Sequence, residues 1–71
     1  MTPAQCKAAR ALLGWSQVKL SRNARVAYTT LADFERGARQ PQPDNLAKMR
    51  TALERAGIQF LDGKRPGVRM K

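Results

Sequence analysis

The stretch Ser16–Gly37, with the sequence SQVKLSRNARVAYTTLADFERG, decides the fold of this chain. Ser16 is a natural helix N-cap, because its hydroxyl can accept a hydrogen bond from the free N–H groups of a first turn. Leu20 and Ala24 lie four residues apart, so they share one face of a helix. The helical period breaks at Asn23–Arg25. A short helix over about residues 17–23 is therefore predicted.

The apolar period resumes after Val26 with Leu31 and Phe34, which lie three residues apart. Gly37 ends this second pattern, because glycine adopts a left-handed conformation without a Cβ penalty. The second helix is predicted to begin near Ala27. Two helices of about seven to ten residues, joined by about three or four residues, have the spacing of a helix-turn-helix.

A further helix is predicted before this stretch. Thr2 can form a capping box with Gln5, and a proline between them suits the first helical position. Cys6, Ala9 and Leu13 then fall on one face at helical spacing. The first helix should end near Leu13, where a glycine follows.

A fourth helix is predicted after a stiff, extended connector, Pro41–Pro43. Leu46, Met49, Leu53 and Ala56 form one apolar stripe with spacings of three, four and three residues. This stripe is assigned to the core, and a glycine cap at residue 57 ends the helix.

The last residues, 58–71, leave the helical pattern and predict a C-terminal β-hairpin or pair of short strands. An isolated hairpin is only marginally stable in water, so it should pack on helix 4 or on the same tail of a second copy. The second possibility is favoured, with dimerisation through Ile58, Phe60, Val68 and Met70. The alternative is a partly disordered basic tail that touches DNA through Lys64, Arg65, Arg69 and Lys71.

Composition restricts the classes of function. The chain has 71 residues, enough for one domain, and 14 Lys and Arg against 5 Asp and Glu give a net charge of +9. This charge indicates a polyanionic partner, either nucleic acid or an anionic membrane. The chain has no His, and its single Cys6, expected in the core, can form neither an internal disulfide nor a zinc cluster. No enzyme motif, metal site or cofactor site is predicted.

The membrane alternative is the weaker one. The sequence has no apolar run of about 18 residues, and its N-terminus lacks an apolar signal core. Each apolar stripe is also matched by another that can cover it, unlike the exposed stripe of a membrane-surface helix. We therefore expect a cytoplasmic location and no membrane partner.

Within the deciding stretch and just after it, the sequence resembles the helix-turn-helix of lambda-like phage repressors and the wider Xre-type regulators. The residues that carry the resemblance are Gln17, Leu20, Val26, Leu31, Phe34, Glu35, Gly37 and Pro41. The resemblance covers about residues 5–57 and implies an all-α core of four to five helices, a lambda-repressor-like DNA-binding domain. Residues 1–57 are assigned to this domain and residues 58–71 to the β-strand tail.

The resemblance also implies roles for particular residues. Gln17 would contact the DNA backbone, and Arg10 would pair with Glu35 to join the first and third helices. The chain departs from the family at Ala24–Val26, where the family usually has a glycine between the two helices. A non-glycine residue in a left-handed turn costs roughly 1 kcal/mol.

The second helix of such a motif meets base edges in the major groove with its N-terminal part. Tyr28, Thr29 and Asp33 are on its outer side and are predicted to read bases; Asp33 can accept from a cytosine amino group or instead pair with Arg36. Phosphate contacts are predicted for Ser16, Gln17, Thr30, Arg36, Arg39 and Gln40.

The resulting prediction is a sequence-specific regulator of transcription that binds double-stranded DNA. It would be a small homodimeric repressor on a palindromic operator. The alternative is an antitoxin-type regulator that also binds a partner protein.

Overall fold

Capping signals in the sequence set where the helices begin. The computed structural model describes residues Met1–Lys71 and has the order α1 (Pro3–Leu13), α2 (Gln17–Ala24), α3 (Tyr28–Glu35), α4 (Pro43–Arg55), β1 (Ile58–Leu61) and β2 (Gly67–Met70). Thr2 and Gln5 form the predicted capping box, with N···O distances of 2.8 and 3.0 Å. The predicted fold class, an all-α core with a C-terminal hairpin, is confirmed with four helices.

One helix start agrees with its prediction and one differs from it. Helix α3 begins at Tyr28, and Ala27 before it provides no side-chain cap. Helix α4 begins at Pro43 itself, which corrects the prediction that this proline belongs to the connector. Proline fits the first helical position because the N–H that it lacks has no partner there.

The turn between α2 and α3 is built around a left-handed arginine. Arg25 caps α2 at φ 59° and ψ 45°, and it is the only residue other than glycine with a positive φ. The turn therefore keeps the left-handed geometry despite the missing glycine. The left-handed conformation of Arg25 costs roughly 1 kcal/mol, which the packing of the rest of the domain offsets.

One buried cluster joins all four helices to the hairpin. Its ten members are Cys6, Ala9, Leu20, Ala24, Leu31, Phe34, Met49, Leu53, Ile58 and Phe60. The hairpin residues 58–71 thus complete the same core as the helices. Full burial of a side chain such as Leu53 contributes about 1.5–3 kcal/mol.

The hairpin is antiparallel, and Ile58 pairs with Met70 while Phe60 pairs with Val68. The side-chain amide of Gln5 ties it to α1 by donating to the carbonyls of Leu61 and Gly67, at 3.2 and 3.0 Å. The hairpin therefore has a partner within its own chain.

This packing corrects the dimerisation role predicted for two side chains. Ile58 is fully buried and Phe60 is 8% exposed, because both pack into their own chain's core. Val68 also packs partly against this core, whereas Met70 is 46% exposed. Any interface between copies at the hairpin must use its strand edges and its exposed side chains.

Candidate nucleic-acid interface

Helices α2 and α3 form the helix-turn-helix, and burial on one side decides which residues face outward. Leu20, Leu31 and Phe34 are buried between the helices. Tyr28 and Thr29, in the first turn of α3, are consequently exposed, Tyr28 by 49%. The N-terminal part of α3 thus presents an aromatic ring, a hydroxyl and a methyl group outward.

A polar cleft of about 230 Å³ lies beside this exposed turn. It lies between α3 and the start of α4, and no hydrophobic side chain lines it. Five residues predicted to contact DNA meet here, namely Thr29, Thr30, Asp33, Arg39 and Gln40. Hydroxyl, carboxylate, guanidinium and amide groups in one cleft can contact both base edges and phosphates.

Asp33 of α3 is paired with Arg36, the residue that caps the C-terminus of this helix. The Arg36 guanidinium donates to the Asp33 carboxylate at 2.7 Å, which is the intrahelical alternative considered for Asp33. The pair is solvent-exposed, with the Arg36 side chain 69% accessible. Since exposed pairs contribute about 0–1 kcal/mol, a phosphate could replace Asp33 as the partner of Arg36, or a cytosine amino group could replace Arg36 as the partner of Asp33, at little cost.

At the other end of the motif, the N-termini of α2 and α3 are held together by side chains. Ser16 caps α2 by accepting from the Lys19 N–H at 3.0 Å. The Gln17 amide oxygen accepts from the Tyr28 hydroxyl at 3.1 Å, and its amide nitrogen donates to Glu35 at 2.9 Å. Ser16 and Gln17 therefore lie at the positive end of the α2 dipole, where a phosphate would be favoured.

The orientation of Gln17 depends on a buried ion pair. Arg10 donates to both carboxylate oxygens of Glu35, at 2.6 and 2.7 Å. Cys6, in the core, also donates to Glu35 through its thiol at 3.1 Å. The ionised Glu35 carboxylate has no donor and can only accept hydrogen bonds. It therefore binds the side-chain nitrogen of Gln17, and the side-chain oxygen of Gln17 is left to accept from the Tyr28 hydroxyl.

The pKa values of this cluster follow from burial and hydrogen bonding. Burial alone would raise the pKa of Glu35, but hydrogen bonds from Arg10, Gln17 and Cys6 outweigh it and hold the pKa below its usual value of 4.5. Burial, followed by the contact with Glu35, strongly raises the pKa of the Cys6 thiol. Cys6 is therefore a neutral core residue and an unreactive thiol.

The structure adds two polar residues to the cleft that the sequence reasoning did not select. Gln42 and Asn45, from the start of α4, line it together with Pro41. The signal in the sequence that could have identified them is Pro43. If α4 begins at this proline, Gln42 is its N-cap and Asn45 lies in its first turn, and both come beside α3. Of the predicted contacts, Ser16, Gln17, Tyr28 and Arg36 lie outside this cleft.

No helix of the structure has the length and apolar character needed to span a membrane, and no group of His, Cys, Asp and Glu side chains is arranged to hold a metal.

The family of this chain follows from comparison with known proteins. A search of curated proteins found no match. A helix-turn-helix family model, HTH_3, matches residues 7–57, which is more than half of the chain. The chain therefore belongs to the HTH_3 helix-turn-helix family of the Xre/Cro type, a non-catalytic family of DNA-binding domains.

Proposed function

We propose that this protein is a sequence-specific transcriptional regulator that binds double-stranded DNA in the major groove and acts as a small dimeric repressor. The observation that carries the proposal is the polar cleft beside α3. Residues chosen from the sequence as base or phosphate contacts meet there, on a chain with a net charge of +9. Because the family is non-catalytic, the protein would regulate transcription by occupying a promoter and blocking the polymerase.

With α3 in the major groove, the contacts to DNA fall into two groups, those to base edges and those to phosphates. Tyr28, Thr29 and Asp33 read base edges from the N-terminal part of the recognition helix. Phosphates on one side meet the N-terminus of α2, at the Ser16 hydroxyl and the backbone N–H of Gln17, because the Gln17 side-chain nitrogen donates to Glu35. Those on the other side meet the remaining contacts, Thr30, Arg36, Arg39 and Gln40.

Dimerisation is proposed for the C-terminal segment, with residues 1–57 as the DNA-binding part and 58–71 as the dimerisation element. Support comes from the small core and from Met70, which is 46% exposed on the last strand. A two-stranded sheet also has unpaired edges that a second copy could extend. A two-fold dimer would place two α3 helices on half-sites about 34 Å apart.

The proposal is tested by selecting duplexes from a random DNA library with the purified protein at physiological salt. A recovered palindrome with half-sites one helical turn apart is the expected result. Recovery of no motif would reduce the chain to a nonspecific binder. Recovery of a single, non-palindromic site would contradict the dimer while leaving sequence-specific binding in place.

Salt dependence provides an independent check on the docking. If the bound protein neutralises about eight phosphates, log K should fall with log salt at a slope near −7. A slope shallower than about −3 would contradict the proposed docking, because too few phosphates would then be neutralised.

A further inference from the structure

A second, larger groove lies between the C-terminal end of α2 and the helix α4. Its volume is about 740 Å³. Three alanines line it (Ala24, Ala47 and Ala52), and small side chains allow close approach to the two helices. The cations that line the groove are Arg25, Lys48 and Arg55, and no acidic residue lines it.

The three cations are unpaired. All the ion pairs of the molecule use Arg10, Arg36 or Arg50, so Arg25, Lys48 and Arg55 keep their charges for another partner. All three are exposed. Arg25 moreover occupies the left-handed turn position where a glycine would cost less, which places a positive charge at the rim of the groove.

This groove is separate from the cleft beside α3. The two share no lining residue. Asn45, in the first turn of α4, lines the DNA-facing cleft, whereas Arg55 at the other end of α4 lines the groove. Ten residues of helix separate them by about 15 Å along the helix axis. A DNA duplex seated on α3 would therefore leave the far end of the groove open.

A second copy of the chain is a poor occupant on grounds of charge. Of its five acidic residues, Glu35 is buried, and Asp33, Glu54 and Asp62 are already in ion pairs. Only Asp44 has no ion pair within its own chain, so a copy would have to give up its own pairs to meet three cations. A copy would bring a net charge of +9 against a groove that is already positive.

We infer that the groove between α2 and α4 docks an acidic helical segment of a partner protein. Carboxylates on the segment would pair with Arg25, Lys48 and Arg55, and its apolar residues would lie on Ala47 and Ala52, since Ala24 is buried in the core. This inference deepens the proposed function, because the partner would bind while α3 remains on DNA. It also assigns the protein contact to the helices, away from the C-terminal tail.

The experiment is selection of peptides from a random library displayed on phage, using the immobilised full-length protein. Enriched peptides are expected to carry Asp and Glu together with apolar residues at helical spacing. Their affinity is then measured for Lys48→Glu, Arg55→Glu and the control Lys7→Glu. Lys7 is also an exposed lysine, on α1 and outside the groove, so the control makes the same change in net charge.

Each groove substitution should weaken peptide binding at least about tenfold, since like charges then face each other, while Lys7→Glu should change it by less than about twofold. Equal weakening by all three variants would overturn the inference, because it would reflect net charge alone. Absence of acidic peptides among those enriched would overturn it too.

Duplex binding by the same variants separates this inference from the proposed function. Lys48→Glu and Arg55→Glu should retain the selected DNA sequence and the salt slope of the unmodified protein. If they instead lower DNA affinity and make the salt slope shallower, the groove contacts the DNA backbone and the inference fails. Thermal unfolding shows whether each variant is folded, and a single cooperative transition is expected for each, because the substituted side chains are exposed.

Discussion

Arg10 and Glu35 form a bidentate ion pair that joins the first helix to the end of the recognition helix. Two N···O distances of 2.6 and 2.7 Å connect the guanidinium to both carboxylate oxygens. The Glu35 side chain is 1% exposed, whereas Arg10 is 18% exposed. The carboxylate therefore depends on protein donors, while the guanidinium can still reach water.

Replacing Arg10 by Met should lower the free energy of unfolding by about 3–5 kcal/mol. The change leaves the buried Glu35 carboxylate with only Gln17 and Cys6 as donors, and an uncompensated buried charge is costly. Urea unfolding at neutral pH measures the loss. Arg10→Lys, which keeps the charge but loses the two-pronged contact, should fall between Arg10→Met and the unmodified protein.

The exposed pair between Asp33 and Arg36 provides the matched control. Asp33→Asn removes the negative charge from a pair of similar length, 2.7 Å, in a solvated setting. The expected change is below about 1 kcal/mol. If Arg10→Met costs no more than Asp33→Asn, the pair between Arg10 and Glu35 contributes no more than a surface pair.

Stability should decrease as the pH falls below about 4.5, and Glu35 should be a main cause. Its pKa is held below the usual value in the folded protein by hydrogen bonds that outweigh its burial. The unfolded chain therefore takes up the proton first. The stabilising contribution is complete above the unfolded pKa and is lost as the pH falls through the folded pKa.

The measurement is the unfolding free energy at a series of pH values between about 2 and 6, which spans both titrations. Glu35→Gln should flatten the acid limb relative to the unmodified protein. Asp62 is the control, because a hydrogen bond from Arg50 also lowers its pKa while its side chain stays exposed. An acid limb that is removed by Asp62→Asn and kept by Glu35→Gln would contradict this assignment.

The helices could be predicted from the sequence because their caps and apolar periods are local. Thr2, Ser16 and Gly37 each mark a boundary through their own chemistry. The burial of Ile58 and Phe60 could not be predicted in this way. Alternation shows that two residues share a face, but whether that face meets its own chain or another depends on how the hairpin lies against α1 and α4.

The same distinction applies to the candidate site. Outward positions on α3 follow from rotation by 100° per residue, so Tyr28 and Thr29 could be selected from the sequence. The inclusion of Gln42 and Asn45 in the cleft depends on the path of the connector before α4. The hydrogen bond from Tyr28 to Gln17 likewise joins two helix starts, and only their packing brings these side chains together.

Replacing Arg25 by Gly should raise the free energy of unfolding by up to about 1 kcal/mol. The residue has φ 59°, a conformation that costs an L-residue roughly 1–2 kcal/mol, and glycine offsets part of this gain by its greater freedom when unfolded. Chemical denaturation measures the change. Arg25→Ala is the control, because it removes the charge and keeps the Cβ, so it should stabilise less than glycine does.

An equal gain for Arg25→Ala and Arg25→Gly would show that repulsion among the basic side chains, and not the backbone, sets the cost. Loss of stability in both would show that the aliphatic part of the Arg25 side chain contributes packing.

The last prediction distinguishes contacts to base edges from contacts to phosphates in the cleft beside α3. Thr29→Ala should relax sequence preference, because the lost hydroxyl and methyl group contact base edges in the proposed docking, at about 1–3 kcal/mol of discrimination. Arg39→Ala should weaken binding to all sequences alike, because a phosphate contact carries no sequence information, and loss of one contact in each protomer of the dimer should reduce the salt slope by about 2. Competition between the selected duplex and a scrambled one, repeated at several salt concentrations, measures both effects. Both side chains line one cleft, so a reversed result would place the reading surface on the connector before α4, with α3 lying against the backbone.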